Sequence, residues 1–307
     1  MVQKPLLSVL TAVTQAPATG PDTYVTEGPL IQQPFGDIAF GGSVISQAIS
    51  AAAATVAPEF DVYSSQASFL RPVKASAKVA YHVNRAADGR TFAIRAVQAT
   101  QGSRGPCYIA LISFQKRGST RDQDGALRYA DPPPDLGGLH PDDVPRQDLQ
   151  QLGFHVRDEE RKTLSNIGVN VKEPFEWRLL PFKPAPNPSQ IRTYGFVRCP
   201  LPAAGGATHL ASMGFLSDQS LLELSIIENW ESVEEIRSLA MSTTLNSHIS
   251  FHVPEARGAA WLICESRTSW GAGGRIATHQ RFWDFETGAL VMPCTQDAFI
   301  GRQQPQL

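Results

Sequence analysis

Three polar side chains in the second half of the chain have the chemistry to hold and activate a water molecule. Asp218 interrupts an apolar helical pattern between Leu216 and Leu221. Thr244 stands in Ser242-Thr243-Thr244-Leu245-Asn246, at the start of a strand pattern, and Gln296 stands in Cys294-Thr295-Gln296-Asp297, inside the last one. An acid beside an apolar face must be paired or must serve a site. A carboxylate can take a proton from water while a hydroxyl and a carboxamide fix the direction of that water. Residue type alone does not make the three converge, and the same residues read equally as ordinary strand and cap polars.

A second stretch that could do chemistry lies in the first half. Phe40-Gly41-Gly42-Ser43-Val44-Ile45-Ser46-Gln47-Ala48-Ile49, running on through Ala51 to Val56, reads as a long helix opened by a glycine pair. Glycines allow a tight turn and a close approach of backbone or ligand. The N–H groups of a helix start carry partial positive charge and suit a carbonyl oxygen or a phosphate. The alanines suit a helix buried on most sides with a sheet wrapped around it. Taken by itself, the segment favours a packed helix whose glycines only make the turn.

Strands follow. Tyr81-His82-Val83-Asn84, the turn Ala87-Asp88-Gly89-Arg90 and the β-rich run Thr91 to Thr100 predict a hairpin, and Cys107 to Phe114 predicts its next neighbour. Residues 119–185 are polar, contain Pro132-Pro133-Pro134 and mixed charges, and read as a linker with one short helix near 145–152. Residues 186–307 repeat the outline of residues 1–118: a strand over Ile191 to Arg198, a helix over His209 to Leu224, then strands over Thr243 to Val253, Ala259 to Thr268, Arg275 to Phe285 and Leu290 to Ile300, with an inserted helix over Trp230 to Leu239. Helix and meander, linker, helix and meander is the order of a duplicated α+β unit.

Composition narrows the partners. A chain of 307 residues with net charge −2 gives no reason to expect nucleic acid binding. No run of about 18 apolar residues marks a membrane span. The start, interrupted by Pro5 and carrying one Lys, does not read as a signal peptide. The four cysteines match no metal spacing and read as small buried hydrophobes of a reducing compartment. A cytoplasmic location is the expectation, since Gln304-Pro305-Gln306-Leu307 is not a Ser-Lys-Leu type ending. No nucleophile elbow, phosphate loop, zinc-binding helix or dinucleotide fingerprint occurs, so a reaction without metal or cofactor, or no reaction, is expected.

Taken in order, several short motifs narrow the choice. Phe40-Gly41-Gly42 followed after four residues by Gln47-Ala48, then Phe69-Leu70-Arg71-Pro72, Asp88-Gly89-Arg90-Thr91-Phe92, Ser217-Asp218, Phe251-His252 and Gln296 resemble the type II acyl-CoA thioesterases. That family includes the bacterial thioesterase II and eukaryotic peroxisomal relatives. The resemblance implies an α+β double hotdog, with two long helices each wrapped by an antiparallel sheet. It also implies hydrolysis of an acyl-CoA or acyl-carrier thioester in lipid, fatty acid or secondary metabolism, and a homo-oligomer. It maps the family's catalytic Asp, Thr or Ser, and Gln onto Asp218, Thr244 and Gln296, which direct a water without an acyl-enzyme. Oxyanion and substrate contacts are then expected from Gly41, Gly42, Ser43, Asn246 and His248, and coenzyme A contacts from Arg71 and Arg90.

The chain departs from the family pattern at three places. Asn246-Ser247-His248 replaces Asp-His-Ser, Tyr63 and Gln66 replace a pair of His ahead of Phe69, and Trp270 precedes Gly271-Ala272-Gly273-Gly274-Arg275. These changes are expected close to the trio or the acyl tunnel. Two rival readings follow: a hotdog lyase of the enoyl-thioester hydratase or dehydratase kind, and a non-catalytic thioester-binding protein. The lyase typically needs a His a few residues from its Asp, and Glu223 stands five places after Asp218. His252 reads as structural, and Trp261, Trp270 and Trp283 as core or interface aromatics.

Overall fold

Small and apolar side chains let two helices pack against each other and against one large antiparallel sheet. The computed structural model describes residues 4–28, 30–33, 36–119, 129–146, 169–170, 174–181, 185–199, 206–219, 239–253 and 260–302. The chain opens with β1 (Lys4–Pro5), α1 (Leu6–Leu10), β2 (Val13–Gln15) and β3 (Thr23–Thr26). Helix α2 (Gly41–Ala53) is followed by β4 (Phe60–Phe69), β5 (Ala80–Asp88), β6 (Phe92–Thr100) and β7 (Pro106–Lys116). Then come β8 (Val169–Asn170), β9 (Glu176–Leu179), β10 (Thr193–Arg198) and helix α3 (Gly206–Leu216). The last strands are β11 (Leu239–Ser250), β12 (Leu262–Ala272), β13 (Arg275–Asp284) and β14 (Leu290–Arg302).

Twelve strands form one sheet in the order β2-β3-β5-β6-β7-β4-β11-β14-β13-β12-β10-β9. Strands β4 and β11 join its halves through pairs running from Ser64↔Ser250 to Ser68↔Asn246. The halves repeat around that junction. The ladder of β4 to β7 slips between Val62 and Ser64, and the ladder of β11 to β14 slips between Thr244 and Asn246. Matching Gln66 with His248, which face each other across the junction, brings the two slips into register. Val62 then becomes the counterpart of Thr244, Ile112 of Gln296, and Arg95 of Thr278.

The apolar sequence of α2 explains its place: all but two of its residues are buried, mostly Ala, Ile, Val and Ser. Helix α3 crosses it closely at Gly214, where a Cβ would stand 2.6 Å from Cδ1 of Ile49. The expected helix over His209 to Leu224 begins at Gly206 and ends at Leu216; residues 220–224 lie outside the described residues. Its end tightens into a turn, with Ser217 N–H donating to Met213 at 3.0 Å and Gln219 N–H to Leu216 at 3.0 Å. Asp218 therefore sits in a turn and not inside the helix. Most of the helix expected near 145–152 lies outside the described residues, which end at 146 in this segment; a single 3-10 turn over Pro141–Asp143 precedes it. The insertion expected over Trp230 to Leu239 also lies outside them, apart from Leu239, which opens β11.

Part of the segment expected as linker belongs to the body of the fold. Strand β9 forms the edge of the sheet beside β10. Residues around Leu136, Leu139 and Val144 pack on Phe196, Trp283 and Phe285 over the outer face of the second half. Trp283 Nε1 donates to Asp131 O at 2.9 Å, and Arg281 pairs with the Asp131 carboxylate at 2.7 Å. Trp261 is covered by the guanidinium groups of Arg198 and Arg178, 4.3 and 5.5 Å from its ring centre, whereas Trp270 is exposed. The cysteines are free, and Cys107, Cys264 and Cys294 are buried in strands. Among the described residues no helix is long and apolar enough to cross a membrane.

Candidate active site

The site forms where the start of α2 meets the turn after α3 and the inner face of β11 and β14. Alternation along a strand sends successive side chains to opposite faces. In β11 the slip at Leu245 adds one residue, so Thr244 and Ser247 both face inward while Asn246 and His248 face outward. Gln296 of β14 also faces inward, directly across from Ser247.

Asp218, Thr244 and Gln296 meet. Thr244 Oγ1 donates to Asp218 Oδ1 at 2.9 Å, and Gln296 Nε2 donates to the same oxygen at 2.9 Å. Gln296 Nε2 also lies 3.4 Å from Ser217 O. The Gly42 N–H adds a third hydrogen bond to the carboxylate. Gly41 adjoins Oδ2, where a Cβ on it would stand 2.6 Å away; a Cβ on Gly42 would stand 2.6 Å from Phe215 O. The glycine pair is thus the place where the first half of the chain approaches the acid of the second. The partial positive charge at the start of α2 faces that acid.

Burial dominates the acidity of Asp218. Removal from water raises its pKa from 3.8 to about 6, against the hydrogen bonds of Thr244, Gln296 and Gly42, which favour the charged form. The result is a carboxylate poised near neutral pH, the range in which a general base works. A cavity of about 180 Å³ opens on it, lined among others by Gly41, Phe69, Leu70, Arg71, Asp218 and Thr244. Among the described residues no group of three or more His, Cys, Asp or Glu is placed to hold a metal ion.

The other residues expected at the site divide. Ser43 is buried in the first turn of α2, and its N–H donates to Phe40 O at 3.1 Å. Arg71 stands at the cavity wall, its guanidinium tied to the carbonyls of Gly105 and Pro106. Arg90 is not brought to this place: it is exposed in the turn between β5 and β6, at the end of β6 remote from the Tyr108–Ala99 pair that adjoins Phe69. At about 3.3 Å per residue, most of a nine-residue strand separates the two ends.

Asn246 and His248 are corrected as well. Both point to the opposite face of the sheet, where Asn246 Oδ1 accepts from Ser68 at 2.8 Å and His248 Nε2 lies 3.4 Å from Ser64 Oγ. Gln66 shares that outer groove of about 820 Å³ with them, and Tyr63, the residue added at the slip of the same strand, is exposed with its ring centre 6.0 Å from that of exposed Phe92. The departures at Tyr63, Gln66, Asn246 and His248 therefore lie across the sheet from the trio. Ser247, which residue type did not single out, is the inward member of that segment.

Comparison with known proteins identifies the family and the fold. Residues 31–115 match the acyl-CoA thioesterase N-terminal domain and residues 141–300 match the acyl-CoA thioesterase C-terminal domain. The chain is 26% identical to acyl-coenzyme A thioesterase 8 of Mus musculus over 275 residues, covering 87% of this chain and 81% of the relative. The Homo sapiens protein of the same name gives 26% over 285 residues, 87% and 82%. Among solved structures, the acyl-CoA thioesterase II TesB2 of Mycobacterium marinum superposes with a TM-score of 0.71 at 20% identity, covering 98% of this chain and 99% of that one. A conserved protein with hot dog fold from Alicyclobacillus acidocaldarius gives 0.66 at 15%, covering 97% and 98%. The structures share the fold, and the two domain matches span most of the chain: it belongs to the acyl-CoA thioesterase family and is a thioester hydrolase.

Proposed function

We propose that the protein hydrolyses an acyl-CoA to the free acid and coenzyme A by direct attack of a water, with Asp218 as the base. The observation that carries this reading is the double donation to one carboxylate oxygen, from Thr244 and from Gln296, each at 2.9 Å. Donors on Oδ1 hold the carboxyl plane and leave Oδ2, beside the first turn of α2, to take the proton. The water oxygen bonds to the thioester carbonyl carbon as its proton passes to Oδ2, and the carbonyl electron pair moves onto oxygen. Collapse of this intermediate breaks the C–S bond, and the proton on Asp218 goes to the departing thiolate.

The first turn of α2 supplies the oxyanion donor in this reading. Gly42 N–H is directed at Asp218 and Ser43 N–H at Phe40 O, which leaves Gly41 N–H for the developing charge. Arg71, at the wall of the cavity, is the cation in reach of coenzyme A phosphates. The hydrogen-bond partners of Asp218 include no imidazole among the described residues, which argues against the lyase. The non-catalytic reading rested on Asn246 and the missing His pair, and those positions lie across the sheet from the acid.

The duplicated outline supports a double hotdog with one working site. At the position equivalent to the trio, Val62 and Ile112 stand in for Thr244 and Gln296. Thr55 follows the end of α2 by two residues, as Asp218 follows α3. Buried Arg95 fills that place, donating to Thr55 Oγ1 at 2.8 Å and pairing with Asp88 at 2.5 Å. Thiol release from a panel of acyl-CoAs tests the reading. Release that vanishes in Asp218→Asn and Gln296→Ala supports it; a changing enoyl absorbance without thiol release would replace it with the lyase.

A further inference from the structure

Three polar atoms on the inner face of neighbouring strands have no hydrogen-bond partner among the described residues: Ser65 Oγ, Ser247 Oγ and Gln296 Oε1. Their residues are 1%, 5% and 3% exposed. Ser247 faces Gln296 directly across β11 and β14, a relationship that sets Cβ atoms about 5 Å apart. Ser65 faces Ile249, two residues along β11 from Ser247 and on the same face, so it is the diagonal neighbour. Ser65 is also the counterpart of Ser247 in the repeat, which is why the two serines lie on one diagonal at the junction of the halves. Ala67 lies opposite Ser247, and Ala110 opposite Ala67, so small side chains leave room beside them.

A buried polar atom left alone costs about 1–3 kcal/mol. Three such atoms on adjoining strands are the set that one buried water takes, which typically makes about three hydrogen bonds. One of the three belongs to the carboxamide that orients Asp218. We propose that Ser247, with Ser65, holds a buried water against Gln296 Oε1, and that Ser247 is thereby a positioning residue for hydrolysis. The proposal rests on the thioesterase mechanism above.

The need for such a device follows from the shape of a carboxamide. Turned over, Gln296 would present Oε1 to Asp218, which the carboxylate repels. Once Asp218 has taken the proton from the attacking water on Oδ2, its negative charge is gone, and the turned form is penalised less. A water donating to Oε1 from the Ser247 side holds Nε2 toward Asp218 through the whole cycle.

The test combines kinetics with density. Thiol release is followed for the wild type, Ser247→Ala and Ser247→Thr, and a high-resolution crystal structure of the wild type is determined. Ser247→Ala is expected to lower kcat about three- to tenfold, the worth of one hydrogen bond, with KM changed less than about twofold. Ser247→Thr, which keeps the hydroxyl, restores kcat. The structure is expected to show an ordered water within about 3.2 Å of Ser247 Oγ and Gln296 Oε1. Wild-type kcat in Ser247→Ala, equal slowing in Ser247→Thr, or no water at that place overturns the positioning role alone. A wild type that releases no thiol from any acyl-CoA overturns the hydrolase mechanism, and the positioning role with it.

Discussion

Gly41 and Asp218, one from each half of the chain, share a space with no room for another carbon: a Cβ on Gly41 would stand 2.6 Å from Oδ2 of Asp218 and 3.2 Å from Cζ of Phe69. The carboxylate has nowhere to retreat, because Thr244 and Gln296 hold Oδ1 from the other side. Gly41→Ala is therefore expected to cut thiol release at least about a hundredfold, since even a small misplacement of the reacting groups is costly. Alanine is the better helix former by up to about 1 kcal/mol and offsets part of the clash. A thermal melt within a few degrees of wild type, together with the lost activity, would show a defect of the site and not of the fold.

The pH profile follows from the burial of Asp218. A base must be ionised, so kcat/KM is expected to fall as pH drops through about 6. Thr244→Val removes a donor that favours the charged form, so its acid limb moves to higher pH. Stability runs the other way. The folded pKa lies above the unfolded one, so folding favours the protonated acid; that contribution is complete below 3.8 and is lost as pH rises through about 6. The rise corresponds to about 3 kcal/mol as an order of magnitude. Asp218→Asn, inactive, is therefore expected to be more stable than wild type toward urea near neutral pH, with the advantage vanishing at about pH 4.

Much of the site was legible because its groups are chemically rare in their settings. An acid beside Leu216 and a glycine pair at the head of an alanine-rich helix both survive in the structure as neighbours. What could not be read was which face a strand residue takes. One extra residue at Leu245 shifts the parity of β11, so Ser247 turns inward and Asn246 and His248 turn outward. The place of Arg90 could not be read for a different reason: its distance from the acid is set by the length of β6 and not by any local pattern. The end of α3 was overrun because the apolar pattern continues through Leu221 while the backbone tightens at Ser217. Replacing Asn246 and His248 with alanine, singly or together, is expected to leave kcat/KM within about twofold of wild type, as thiol-release assays would show.

Arg95 marks the equivalent position in the first half as structural. Its guanidinium is spent on Thr55, Ala87, Ile94 and Asp88. Replacing it with Met leaves buried carbonyls without donors and is expected to cost about 3–5 kcal/mol in denaturant unfolding. The kcat and KM of the fraction that folds should be unchanged, because the acid it would have to touch is in the other half.

The central claim is that water, directed by Asp218, adds to the thioester carbonyl without a covalent intermediate. A single turnover of acyl-CoA in heavy-oxygen water, with enzyme in excess, tests it by mass spectrometry of both the acid product and the Asp218-containing peptide. One heavy oxygen in the acid and none in the peptide is the predicted result. Heavy oxygen in the Asp218 carboxyl, with a light product acid, would show attack by the carboxylate itself and contradict the mechanism.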